Sequence, residues 1–496
     1  MSASRQEETG LIPEDGVLSA RSPRIICVDL DGSLVRTDTL VEGLLESLRS
    51  PRDWAGLCRS ALRGRAALKR QLTIRTSLDP ALLPYEQTLI DYLQTQRECG
   101  RRLVLATAAD RMMADGVNAH LKLFDEVIAS DGARNLKGPA KSDALVKRFG
   151  ARNFTYVGNS RPDLHVWRHA GSAIVVNAPR RLSDKVAEVT RVERSIDERS
   201  PRAASFLKAL RPHQWLKNVL VFLPLLTANA LRDGRAWIDT AVMFVAFCVA
   251  ASAVYLINDL TDLSADRGHP QKRRRPFASG DLSLTIGIVA APLLIGLGVA
   301  LAFTIGTARI IALYVACSLA YSVKGKKLPL VDVFMLAFLY TVRVFGGAEA
   351  SHYHLSPWFL TFSIFLFLGL ATVKRVGELM DLKRRGMLTT ARRGYDVADI
   401  SILQTMGVGS SFVAAMVLAL FIQSSSVAAR YERPELLWLA VPLVLFWQCW
   451  LWLSTARGLM HSDPIVYAVR DWVSWLTAAT ALVVFILARG FYSPAG

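Results

Sequence analysis

The sequence predicts a two-part chain: an N-terminal α/β Rossmannoid domain with a helical cap, followed by an all-α bundle of nine transmembrane helices. Three observations carry this. Up to about Pro201 the apolar residues come in short strand-like runs between amphipathic stretches, and from Phe206 onward in runs long enough to cross a bilayer. The chain is 52% hydrophobic with a mean hydropathy of +0.28, too apolar for a soluble enzyme, yet 20% of it is charged. Its lysines and arginines gather on alternate connections between the long apolar runs.

Residues 1–22 are polar and bear Ser, Glu and Pro, which predicts a mobile tail without a signal peptide. The α/β domain is expected over residues 23–180. Its first strand is the run from Ile25 to Val28, which delivers Asp29, Asp31 and Gly32 to the carboxyl edge of a parallel sheet, where ligands of open α/β folds bind. Further strands are expected from Arg102 to Ala106, ending at Thr107, from Phe154 to Gly158, and from Ala173 to Val176. Lys141 opens an amphipathic helix, and Asp163 lies in the turn after Asn159-Ser160.

Asp29, Asp31, Thr107, Lys141 and Asp163, in this order, resemble the motifs of the haloacid dehalogenase (HAD) superfamily over roughly residues 24–177. The resemblance implies that Asp29 is a nucleophile and Asp31 a general acid and base. Thr107 and Lys141 would hold a phosphoryl group, and Asp29, Asp31 and Asp163 would bind Mg²⁺. A carboxylate attacking an anionic phosphoryl group needs such neutralising charge. One departure concerns the position after Gly158, usually Asp in that family and here Asn159, which removes a negative charge beside the metal. A domain kept only as a scaffold or sensor is the alternative.

Residues 40–98 are mostly helical in pattern and stand where HAD proteins carry a substrate-selecting cap. Trp54, Leu57, Leu62, Leu68 and Leu72 interleave with Arg59, Arg63, Arg65, Lys69 and Arg70, a pattern that fits either a helix lying on anionic lipid or an ordinary solvated one. Residues 181–204 are charged and predict a linker.

The transferase part is expected over residues 205–493. Its nine spans run around Trp215 to Leu231, Trp237 to Ile257, Ile286 to Ile305, Thr307 to Val323, Leu330 to Gly347, Trp358 to Val373, Leu403 to Ile422, Leu436 to Leu453 and Trp472 to Leu487. The connections bearing Arg267, Lys272 to Arg275, Lys324 to Lys327 and Lys383 to Arg385 are the basic ones. They, and the N-terminal domain, are therefore expected on the cytoplasmic side of a bacterial inner membrane, with the C-terminus outside. The net charge of +17 is largely explained by these loops, so anionic lipids and phosphorylated substrates are the expected partners and nucleic acid is not. Six scattered cysteines without metal-type pairing fit reduced thiols.

The run from Asn258 to Pro276 leaves an apolar helix and enters a basic loop. At about 100° per residue, Asp259, Asp262 and Asp266 fall in one sector of a continuous helix, and could bind one or two hard cations together. Because Mg²⁺ prefers to share oxygens with substrate phosphates, the cations that follow would hold those phosphates from the other side.

This run resembles the first aspartate-rich signature of the UbiA superfamily of intramembrane prenyltransferases. A second stretch, Tyr321 to Lys327 with Asp332 and then Arg343, falls where that fold carries its second motif. The second Asp usual there is replaced by Leu336. Trp215 to Asn218, the run from His269, and Lys374-Arg375 with Glu378 resemble the branch that transfers 5-phosphoribose from phosphoribosyl pyrophosphate to a polyprenyl phosphate.

That resemblance implies Mg²⁺ on Asp259, Asp262 and Asp266 with Asp332. Lys217, Asn258, Arg267, Lys272, Arg275, Tyr321, Lys326, Arg343 and Lys374 would contact substrate. The HAD-like domain would then remove the 5-phosphate, giving polyprenyl phosphoryl ribose, a pentose donor for cell-envelope glycans. An aromatic prenyltransferase with a regulatory or inactive HAD-like domain is the alternative, and a homo-oligomer is compatible with the sequence.

Overall fold

The computed structural model describes residues 23–47, 54–76, 78–228, 230, 232–386, 394–424, 427, 431–460 and 463–489. The expected N-terminal tail lies outside them. The chain forms two compact units. The first runs to Phe206 and takes in Asp259–Ile286; the second comprises Leu207–Asn258 and the chain from Gly287 onward.

The first unit is built on a six-stranded sheet: β1 (Ile25–Val28), β2 (Arg102–Asp110), β3 (Glu126–Ser130), β4 (Phe154–Gly158), β5 (Ser172–Val176) and β6 (Arg191–Ile196). Their order is β3-β2-β1-β4-β5-β6 and every pairing is parallel. A parallel sheet covered on both faces needs strands that are apolar on both sides, and β1 meets this. Ile26 and Val28 pack with Leu89, Ile90, Leu93, Met113 and Val117 on one face. Cys27 faces the opposite layer, with Leu145, Trp167, Leu182 and Val186. The chain turns from one side of β1 to the other here, so the carboxyl ends of β1 and β4 open a crevice at the switch point.

Helices Thr39–Ser47, Trp54–Leu62 and Arg65–Arg75 form the cap between β1 and β2. Helix Gln87–Glu98, expected within the cap, instead covers the sheet, because Leu89, Ile90 and Leu93 all point into its core. Part of the expected linker is also sheet: helix Arg180–Val189 leads into β6, which pairs with β5.

In the second unit and its continuation, seven helices are long and apolar enough to cross a membrane: Gly234–Thr261, Leu284–Phe303, Val331–Ser351, Pro357–Arg384, Val397–Ile422, Pro434–Ala456 and Trp472–Arg489. Ala308–Val323 is a shorter apolar helix of 16 residues. The count of nine is not reached among the described residues. The first expected span is instead a 3-10 segment, Pro212–Phe222, running into the short helix Leu223–Thr227. Pro224, inside the expected span, lacks the amide hydrogen a continuous α-helix would use there.

Gly347 lets Val331–Ser351 approach this segment, since a Cβ there would stand 1.8 Å from the Val221 carbonyl oxygen. The obstacle is backbone and cannot rotate away. Gly347→Ala is expected to destabilise the bundle by about 1–3 kcal/mol, read as a lower thermal midpoint of the purified protein.

Candidate active sites in the two units

At the sheet switch point, Asp29 leaves β1 and Lys141 reaches it from helix Pro139–Phe149, Nζ to Oδ1 at 2.8 Å. The same ammonium donates to the Tyr156 hydroxyl at 2.9 Å, which in turn donates to Asp163 Oδ1 at 2.9 Å. Asp163 Oδ2 is fixed by the amide and hydroxyl of Ser160, at 2.9 and 2.6 Å, and by the Asn159 amide at 3.2 Å. Asp31 accepts from the Thr39 amide at 2.9 Å. Thr107 is buried, its hydroxyl oxygen accepting from the Ala109 amide at 3.0 Å.

Gly32, at φ +77°, has the Asn159 side-chain amide 2.0 Å from where a Cβ would stand. The residue that departs from the HAD pattern therefore lies directly against the loop carrying both aspartates. From the cap, Lys69 donates to the Ala108 carbonyl and to Asn135 Oδ1. Sequence reasoning placed Lys69 only on a basic helix face, since its reach to Ala108 in β2 and to Asn135 depends on how the cap folds back.

Burial pushes the Asp29 carboxyl up to about 6, against the pull of Lys141, and pushes Asp31 up to about 7, with Asp38 adding to the shift. Both values lie above the ordinary 3.8, so the folded domain holds protons between about pH 4 and 7 that the unfolded chain has released. Their contribution to stability is complete below about pH 4 and is lost as pH rises through 6 and 7. A lower thermal midpoint is expected at pH 8 than at pH 5, and Asp31→Asn should flatten that difference. Added Mg²⁺ should restore more stability at pH 8, where both groups are carboxylates.

The aspartate-rich run departs from a continuous helix. The long helix stops at Thr261, Asp262 takes φ −103° and ψ 15°, and a short helix resumes at Leu263–Arg267. Asp259 and Asp266 are buried, and both accept from Arg275 Nη1, at 3.2 and 2.6 Å. Asp262 is half-buried at the break. Arg267, expected to contact substrate, is bound on both nitrogens by Glu42 at 2.9 and 2.6 Å and also donates to the Ala278 carbonyl. Lys272 is exposed, and Asn258 and Lys326 are half-buried.

Inside the second unit, Lys217 and Lys374 both reach Asp463 Oδ2, at 2.6 and 3.1 Å, and the Tyr340 hydroxyl lies 3.1 Å from each oxygen of that carboxylate. Arg343 donates to Asn218 Oδ1 at 2.8 Å, to Tyr314 at 3.0 Å and to the Leu339 carbonyl, all neutral partners. Arg375 grips Asp332 at 2.6 and 2.7 Å and also pairs with Glu378; Tyr321 donates to Asp332 at 2.8 Å.

A UbiA prenyltransferase family model matches residues 221–463. An uncharacterised protein, y4nM of Sinorhizobium fredii, is 35% identical over 469 residues, 94% of this chain and 90% of that one. The nodulation protein NoeC of Azorhizobium caulinodans is 38% identical over 54% of this chain and 87% of its own length. Decaprenyl-phosphate phosphoribosyltransferase of Mycobacterium tuberculosis is 30% identical over 57% of this chain and 95% of its own. The chain belongs to the UbiA prenyltransferase family. With seven helices of membrane-crossing length, it is a multi-pass membrane protein.

The UbiA match takes in the whole run from Asp259 to Arg275 and ends on Asp463. Among the described residues, no three His, Cys, Asp or Glu side chains gather closely enough to hold a metal ion by themselves. The expected sets Asp29, Asp31 and Asp163, and Asp259, Asp262 and Asp266 with Asp332, are therefore not assembled as triads. Lys141 and Tyr156 link Asp29 to Asp163, Arg275 holds Asp259 with Asp266, and Asp332 is taken up by Arg375 and Tyr321. Mg²⁺ typically takes one or two carboxylates together with substrate oxygens. The Asp259 and Asp266 pair, converging on one cationic nitrogen, fits that donor set; Asp332 does not.

Sequence reasoning missed Asp463 and Tyr340. Asp463 stands before Pro464 as a helix cap, and nothing in that local pattern points to Lys217, 246 positions away. Of the polar residues that follow it, Asp471 caps the last helix through the amide and hydroxyl of Ser474.

Proposed function

We propose that this protein transfers 5-phosphoribose from phosphoribosyl pyrophosphate to a polyprenyl phosphate, and that its N-terminal domain then hydrolyses the 5-phosphate. The observation that carries the first half is the similarity to decaprenyl-phosphate phosphoribosyltransferase, which spans 95% of that relative. The interior cations support it, because buried Lys217 and half-buried Lys374 share a single buried carboxylate. The HAD-like arrangement of Asp29, Asp31, Lys141 and Asp163 supports the second half.

In the transfer, the lipid phosphate is already an anion, so it attacks ribose C1 without a general base while pyrophosphate leaves. In the second unit, Lys217 and Lys374 would neutralise and orient phosphate oxygens. In the first, Arg275, beside Asp259 and Asp266, would offer its charge to pyrophosphate oxygens. Asp259 and Asp266 would hold Mg²⁺, which would supply Lewis-acid charge stabilisation there.

In the hydrolysis, Asp29 attacks phosphorus and forms an aspartyl phosphate while Asp31 protonates the leaving ribose oxygen. Asp31, at about 7, is matched to giving and then taking a proton near neutrality. It next takes a proton from the water that releases phosphate, and Lys141 steadies the transferring group. Asp29 and Asp163 would hold the Mg²⁺ of this site. Fusion supplies the N-terminal domain with the product of the membrane-bound part at high effective concentration.

Mass spectrometry of lipids after incubation with Mg²⁺, phosphoribosyl pyrophosphate and a polyprenyl phosphate tests both halves. A lipid-linked ribose without its 5-phosphate is expected. Absence of any pentosylated lipid sinks the transfer reading, and a product that keeps its phosphate sinks the hydrolysis.

A further inference from the structure

The carboxylate of Asp463 carries one charge and meets two. Lys217, from the segment Pro212–Phe222, and Lys374, from helix Pro357–Arg384, converge on its Oδ2, and Tyr340, from Val331–Ser351, covers it with a hydroxyl. Three separate parts of the bundle thus aim their donors at one point. The side chains of Lys217 and Asp463 are 9% and 6% exposed, so water screens little of this charge. Among the described residues, Arg343 donates to neutral groups, Asp332 is held by Arg375, and Glu378, the other acid near Lys374, is more exposed and already paired with Arg375. Lys374 is 23% exposed and gives the cluster its open side; an imbalance of this kind, largely shielded from water, favours a more highly charged anion than a carboxylate.

A phosphate monoester carries about 1.5 to 2 negative charges and three acceptor oxygens, and suits two ammonium groups and a phenol better than Asp463 does. Asp463 is also weakly tied to its own backbone. Among the described residues, its carboxylate accepts from the following short helix only through the Ile465 amide, at 3.3 Å, while its backbone carbonyl, accepting from the Tyr467 amide at 2.9 Å, stays bonded if the side chain moves.

We propose that Asp463 is an internal counterion that keeps the place of a substrate phosphate: the incoming group takes over Lys217, Lys374 and Tyr340 and displaces the carboxylate. The identity of the phosphate rests on the function proposed above, whereas the displacement itself does not. Asp463 would act as a positioning residue. It holds the two lysines ready and apart until an anion arrives, and it weakens binding of any anion unable to outbid one carboxylate.

Binding of farnesyl phosphate and of ribose 5-phosphate to the full chain in nanodiscs of neutral lipid tests this, with wild type, Asp463→Asn, Lys217→Gln and the double variant. Removal of the acid is expected to tighten binding about tenfold at low salt, and Lys217→Gln to weaken it. Tightening confined to farnesyl phosphate assigns the place to the lipid phosphate, and tightening confined to ribose 5-phosphate assigns it to the sugar donor. Unchanged or weaker binding of both, with the thermal midpoint retained, overturns the proposal. If Asp463→Asn alone does not fold, the double variant is compared with Lys217→Gln, where loss of the acid must again tighten binding. Tightening without any pentosyl transfer would remove the proposed reaction and leave the displacement standing.

Discussion

With Asp29→Asn, the lipid-linked ribose is expected to accumulate with its 5-phosphate in place, while the total amount of pentosylated lipid stays unchanged. The substitution removes the proposed nucleophile and should lower phosphate release by at least roughly 10³-fold. It leaves the site otherwise intact, because the amide oxygen of Asn can still accept from Lys141, 2.8 Å away in the parent. Folding should not suffer. Burial holds Asp29 up at about 6, so a neutral side chain there relieves a desolvation penalty at pH 8. Quantifying phosphorylated and dephosphorylated products by mass spectrometry separates this from a general loss of activity. An unchanged product ratio would mean that the domain works as a scaffold or on another phosphate.

The parts of the molecule visible in the sequence are those whose neighbours in space are also neighbours in the chain. β1 could be placed because four apolar residues precede two acids and a glycine, and that local run is sufficient to end a buried strand at a sheet edge. β3, Glu126–Ser130, and β6, Arg191–Ile196, escaped notice because each lies at an edge of the sheet. Edge strands need no continuous apolar pattern, and β6 reads Arg-Val-Glu-Arg-Ser-Ile. The span predicted from Trp215 was apolar enough, but hydropathy does not register that Pro224 withholds a backbone donor in its middle.

The candidate sites divide in the same way. Asp259 and Asp266 were visible as a pair, yet Asp262 was expected in line with them and instead sits where the helix is interrupted. The basic run after His269 gave no sign that Arg275 would turn back on both acids. Arg267 belongs to the same motif by sequence, and its partner Glu42 comes from a cap helix 225 positions earlier. Charge composition reveals that cations and acids are present. Which of them meet is decided by tertiary packing.

Arg375→Met is expected to destabilise the membrane bundle by about 3–5 kcal/mol, because it strips the counter-charge from a buried acid. Asp332 is wholly buried and receives two hydrogen bonds from Arg375, whose side chain is only 1% exposed. Tyr321 contributes one further hydrogen bond, which cannot replace a charge. Adding Asp332→Asn to Arg375→Met should recover most of the loss, since the Asn keeps an acceptor for Tyr321 and leaves no carboxylate to neutralise. Thermal unfolding of the two single variants and the double one gives the coupling directly. The cycle also decides between two roles for Asp332. As a metal ligand, it would leave Asp332→Asn stable but shifted in its Mg²⁺ dependence, and Arg375→Met would not need rescue. As the partner of Arg375, it makes stability depend on both residues together, and the Mg²⁺ dependence of transfer stays with Asp259 and Asp266.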